Sequence, residues 1–158
     1  MKSLYFLNTK LTSNQMENIR CVGYKNEYSA EKSSFRDLEI GLEYGVVGCS
    51  SKVFGSKNTK RGHIVLITAD KDKKRYAIIG RLEEKIEGNC IKWMEHGGMM
   101  WDYNWTYTPL TNIFQIDNEE IKQLSLRHDV KWKNVFHSRF SSKIVRPVVD
   151  ELIEKYSV

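Results

Sequence analysis

Two β-branched runs separated by five polar residues constrain this chain more than any other feature. His63-Ile64-Val65-Leu66-Ile67-Thr68-Ala69 has strand length and β-branched content, and Arg75 to Ile86 forms a second run with Ile78 and Ile79 at its centre. The connection Asp70-Lys71-Asp72-Lys73-Lys74 is polar and short, which predicts an antiparallel hairpin. Around it the signals are weaker. Ser3 to Asn8 reads as a first strand, and Thr12 with Gln15 forms a capping-box pattern for a short helix through about Arg20. Asn18 to Lys32 reads as loop with a short strand around Val22 to Tyr24. Asp37 is expected to cap a helical turn holding Leu38 and Leu42, weakened by Gly41. Gly88-Asn89 marks a turn, Ile91 to Met94 a short strand, and His96-Gly97-Gly98 a glycine-rich segment.

Towards the C-terminus, Thr106 to Asp117 reads as one strand in which Pro109 marks an edge or an entry position. Asn118 is expected to cap a helix from Glu119 to about Leu126. Pro147 suits the first turn of a helix from Val148 to Tyr156, where Val148, Val149, Leu152, Ile153 and Tyr156 recur at helical spacing. The expected class is α+β, with a mainly antiparallel, barrel-like sheet flanked by short helices. With 158 residues and no linker, repeat or low-complexity tract, residues 1–158 are expected to form one domain.

Composition narrows the compartment. Cys21, Cys49 and Cys90 are odd in number and widely spaced, which suits the reducing cytoplasm better than a disulfide scaffold. No CxxC pair or zinc-type histidine spacing occurs, so no metal ligand is assigned. No apolar run approaches the ~18 residues that span a bilayer. Lys2, the short run Leu4 to Leu7 and the polar residues after it read as a strand rather than a signal peptide.

The segment Arg127 to Arg146 holds six cations and one anion, which accounts for the whole net charge of +5; the rest of the chain balances at 19 against 19. Within it, Lys131-Trp132-Lys133-Asn134-Val135-Phe136-His137-Ser138-Arg139-Phe140 interleaves cations with aromatics. That pattern offers phosphate contacts and stacking surfaces together, or else a solvated loop pinned by its aromatic residues. Lys71, Lys73, Lys74 and Arg75 on the hairpin turn extend the basic character, a pattern that solubility alone also explains.

Aromatic residues concentrate elsewhere. Trp93, Trp101, Tyr103, Trp105 and Tyr107 fall within fifteen positions, and Trp101-Asp102-Tyr103-Asn104-Trp105 alternates aromatic with polar. Such rings either fill a small barrel's core or line a pocket in which indole faces stack on a base or cage a methylated group. Enzyme signatures are missing: there is no GxxxxGK[ST], GxGxxG, GxSxG or HExxH. Asp70, Asp72 and Glu83 across the hairpin are the only carboxylates offered for a nuclease-type metal site. No catalytic residue and no cofactor is assigned.

Tyr44-Gly45-Val46-Val47-Gly48-Cys49-Ser50, Arg61-Gly62-His63-Ile64-Val65-Leu66 and Tyr76-Ala77-Ile78-Ile79-Gly80-Arg81-Leu82, followed by the Trp101 to Asp117 stretch, resemble in order the PUA-like superfamily, in its EVE and YTH branches. The resemblance runs from about Leu4 to Ile153 on short motifs. It departs at His63, where an acidic residue is usual, and at Val47, where the YTH pattern carries a cage tryptophan. It implies a β-barrel binding domain, with RNA or DNA as partner, whose pocket takes a flipped base, modified or not. On that reading Trp93, Trp101, Tyr103 and Trp105 form the pocket, Asp102 and Asn104 its polar edge, and Ser50 adds a hydrogen bond from the opposite strand. Lys131, Lys133, Arg139, Lys143 and Arg146 contact phosphate. The competing readings are a small nucleic-acid-processing enzyme and a protein-interaction or inhibitor module whose aromatic stretch is the hot spot.

Overall fold

The computed structural model describes residues 19–24, 34–50, 52–87, 101–131 and 142–158. In chain order these form β1 (Ile19–Tyr24), α1 (Ser34–Tyr44), β2 (Val46–Cys49), α2 (Lys52–Gly55), β3 (Ile64–Lys71), β4 (Lys74–Ile86), β5 (Tyr103–Pro109), β6 (Phe114–Gln115), α3 (Asn118–Arg127) and α4 (Ser142–Tyr156). The strands make one curled, mostly antiparallel half-barrel in the order β1-β3-β4-β5-β2, with β6 alongside β4. Among the described strands only β1 runs parallel to its neighbour, pairing Ile19 with Ile64 through Tyr24 with Ala69. The expected strand at Ser3 to Asn8, the Ile91 to Met94 strand and the turns around Gly88 and Gly97 lie outside the described residues, as does most of the helix expected through Arg20. Its last two residues, Ile19 and Arg20, are strand.

The hairpin forms as expected, with Lys71 paired to Lys74 across the two-residue turn Asp72-Lys73. Alternation along β3 and β4 then sorts side chains into two cores. Val65, Ile67, Ala69, Ile78 and Leu82 face one way, under Leu38 and Ile40 of α1 and beside Tyr24, Trp101, Trp105 and Tyr107. Ile64, Leu66, Ala77 and Ile79 face the other way, against Ile121 of α3 and Val145, Val148, Val149 and Leu152 of α4. Helical layers thus cover both faces of the sheet.

Four boundaries differ from expectation, each for a local reason. Asp37 does not cap a turn; it is the fourth residue of an 11-residue helix and is buried. That helix ends at Gly45, whose φ of 66° is the left-handed conformation glycine adopts without strain. The strand expected over Thr106 to Asp117 is two strands on one edge of β4. Pro109 pairs with Gly80 at the end of β5, and the amides of Leu110 and Thr111 both donate to the Ile79 carbonyl, at 2.8 and 3.2 Å. The chain bulges outward there, Asn112 N–H donates to the Tyr156 carbonyl at 2.9 Å, and pairing with β4 resumes at Phe114 opposite Ala77. The cap of α3 is Asp117, one residue earlier than expected, its carboxylate accepting from the amides of Glu119 and Glu120. Pro147 lies inside α4 rather than in its first turn, because the helix begins at Ser142.

Candidate functional site

The β2–β5 pair positions most of the aromatic stretch. Val47 pairs with Trp105, Gly48 with Asn104 and Cys49 with Tyr103, so Ser50 leaves β2 at the end of the sheet where Trp101 and Asp102 enter β5. The expected neighbours Ser50, Trp101, Asp102, Tyr103, Asn104 and Trp105 are therefore brought to one end of the sheet; Trp93 lies outside the described residues. Glycine makes room for the rings. A Cβ on Gly48 would stand 2.5 Å from the Trp101 indole, and one on Gly55 would stand 2.2 Å from the Tyr103 ring. The Trp105 indole N–H donates to the Phe54 carbonyl at 3.0 Å, which fastens the single turn of α2 onto β5. Asn104 is fully buried and its amide donates to the Trp101 carbonyl at 2.9 Å.

Burial divides these residues by what they can offer a ligand. The Trp105 indole N–H and the Asn104 amide both donate inside the protein. Ser50 and Asp102 are exposed, and Trp101, 8% exposed, has an indole N–H that meets no acceptor among the described residues. Tyr24 lies against Trp101 with ring centroids 5.2 Å apart, and its hydroxyl accepts from the Gly48 amide at 3.1 Å. Burial holds the Tyr24 phenol well above the ordinary range; the Gly48 hydrogen bond opposes that shift, while Tyr107, Asp37 and Cys49 add to it electrostatically. Tyr107 lies over Gly80, its phenol also raised by burial and its hydroxyl unpartnered among the described residues. Tyr24, Asp37 and the glycine contacts were not assigned to the site from sequence. The parallel β1–β3 pairing and the Gly48–Trp101 contact join distant segments, and no local pattern signals either.

The expected phosphate contacts fall elsewhere. Lys131 is exposed just beyond α3, Lys143 lies in the first turn of α4, and Arg146 bonds Asp150 at 2.8 Å. Lys133 and Arg139 lie outside the described residues. Arg127 and His128 both reach Glu151, at 2.6 and 2.8 Å, and tie α3 to α4. These helices pack on the sheet face opposite Trp101 and Trp105. On the hairpin turn, Arg75 pairs with Asp70 at 3.1 Å and the Lys71 ammonium sits 4.9 Å from the Phe35 ring centroid.

The three carboxylates offered for a metal do not converge. Asp70 and Asp72 flank the hairpin turn, whereas Glu83 is eight residues beyond Arg75 along β4, roughly 26 Å at ~3.3 Å per residue. A bulge between Leu82 and Lys85 turns Glu83 inward, where it accepts from buried Arg81 at 2.9 Å and from the Thr108 hydroxyl at 2.8 Å. Among the described residues, no group of three or more His, Cys, Asp or Glu side chains is placed to hold a metal ion, and no helix is long and apolar enough to cross a membrane. Compared with models of known protein families and with curated protein sequences, the chain matches none.

Proposed function

We propose that the chain is a non-catalytic nucleic-acid-binding domain of PUA-like type, which takes a base of RNA or DNA, modified or not, at the β2–β5 end of its sheet. The observation that carries this reading is Trp101. Its indole is packed between Gly48 and Tyr24, and its buried N–H has no acceptor among the described residues. A buried donor left unmet costs about 1–3 kcal/mol, a cost relieved when a ligand supplies the acceptor. Exposed Ser50 and Asp102 stand at the same end of the sheet with complementary hydrogen-bonding groups. Base edges carry acceptors and donors of this kind, and aromatic side chains provide stacking surface for unpaired bases.

The test is a titration of single- and double-stranded RNA and DNA oligonucleotides, each with and without a modified base, followed by tryptophan fluorescence. Saturable binding that favours one base is expected. Trp101→Phe keeps a ring over Gly48 and removes the N–H, and should weaken base-selective binding about tenfold while the fold persists by circular dichroism. Absence of oligonucleotide binding at low salt would overturn the reading.

A further inference from the structure

Between Glu43 and Asp70 the sequence holds no carboxylate, yet it carries Lys52, Lys57, Lys60 and Arg61. The structure sets this run beside the aromatic end of the sheet. Phe54 accepts the Trp105 indole N–H at 3.0 Å, the Tyr103 ring lies on Gly55, and the Lys85 ammonium donates to the Gly55 carbonyl at 2.6 Å. Backbone contacts then fix the path from α2 to β3. The Thr59 amide donates to the Ser56 carbonyl at 3.2 Å, the Lys60 amide to His63 Nδ1 at 3.2 Å, and the Gly62 amide to the Leu82 carbonyl at 2.8 Å. His63, buried at 3% exposure, anchors the end of the run. Lys52, Lys57 and Lys60 are exposed, and among the described residues no ion pair involves them. Arg61, at the end of the run, approaches Glu83 Oε2 at 3.8 Å.

We propose that the segment from Lys52 to Arg61 is the phosphate-contacting surface for a single-stranded nucleic acid whose base occupies the adjoining aromatic site; the inference rests on the base-binding reading above. A cationic run on a hydrogen-bonded loop beside aromatic rings matches how single strands are held, by backbone charge together with base stacking. A lipid surface is the less suited occupant: among the described side chains of the run the large apolar one, Phe54, is 3% exposed and packs inward, so it offers no membrane anchor. The placement also separates these cations from Lys131 and Arg146, which belong to the helical layer on the opposite face of the sheet.

The experiment compares wild type, the triple variant Lys52→Gln/Lys57→Gln/Lys60→Gln and a control of equal charge change, Lys71→Gln/Lys73→Gln/Lys74→Gln. Each is titrated with fluorescein-labelled single-stranded RNA and DNA across a series of NaCl concentrations. At ~0.7 units of slope per contact, the first triple variant should flatten log Kd against log salt by about 2, and the control should leave the slope near wild type. Wild-type binding with equal slopes in all three proteins would overturn this surface and leave the base-binding reading standing. If wild type bound no oligonucleotide, both would fall. Equal affinity of wild type for polyglutamate would also overturn the proposal, because it would mark a surface for acidic protein.

Discussion

Asp72 and Lys73 turn the chain between β3 and β4 with φ of 51° and 63°, and neither is glycine. Two successive left-handed residues are what a tight hairpin turn requires, and a side chain there costs about 1–2 kcal/mol per residue, less for aspartate than for lysine. Lys73→Gly should therefore raise stability by about 1 kcal/mol, read as a higher denaturant midpoint with unchanged slope. An unchanged or lowered midpoint would show that the turn is not strained at Lys73. The polar character of residues 70–74 was legible because turn chemistry is local. The environment of the aromatic residues was not. Whether Trp101 or Tyr103 fills a core or lines a pocket depends on Gly48 and Gly55 opposite them, about fifty residues earlier in the chain. Ring density announces that these residues will be buried against something, and only the strand register says against what.

The elements that sequence made legible are those with strong internal periodicity. β3, β4 and α3 match their expected ranges within one or two residues, because each carries its own β-branched or helical pattern. Expectation failed where an element's limits depend on a partner. Pro109 does stand at a locally unpaired edge, since β2 pairs only Tyr103 to Thr106 of β5, but the single strand expected to run on to Asp117 breaks there, where β4 exchanges one neighbour for the next. The start of α4 likewise lies ahead of Pro147, where burial of Val145 against the sheet extends the helix past the proline's unfavourable position. Asp117 allows a direct test at this scale. Its carboxylate accepts from the Glu119 amide at 2.9 Å and from the Glu120 amide at 3.5 Å. Asp117→Ala should lower stability by about 1 kcal/mol, and Asp117→Asn should restore most of it, since both Asp and Asn serve at an N-cap. Equal loss in both variants would mean that the contribution is charge near the helix start rather than the cap.

At the scale of the whole molecule, the half-barrel has one face covered by α1 and the other by α3 and α4, and two deeply buried phenols, Tyr24 and Tyr107, lie on the α1 face. Tyr24 and Tyr107 are both raised above the ordinary tyrosine value of 10.0, burial being the leading cause for each. The folded protein therefore holds these two protons more tightly than the unfolded chain does. Below pH ~10 both states keep the protons and the stability is fully present. Above it the unfolded chain ionises first, and stability falls until the folded phenols ionise as well. Each raised phenol adds up to about 1.4 kcal/mol per pH unit to that fall. The two tyrosines can be separated because only Tyr24 has a hydroxyl engaged by the Gly48 amide, whereas that of Tyr107 meets no partner among the described residues. Tyr107→Phe should leave stability at pH 7 unchanged or slightly higher and remove its share of the alkaline slope. Tyr24→Phe should also reduce the slope, but lower neutral stability by about 1 kcal/mol through the lost acceptor. Urea unfolding between pH 7 and 11 measures both quantities in each variant. If Tyr107→Phe kept the full wild-type slope, the Tyr107 phenol would ionise as readily in the fold as in the unfolded chain, and burial would not be what raises it.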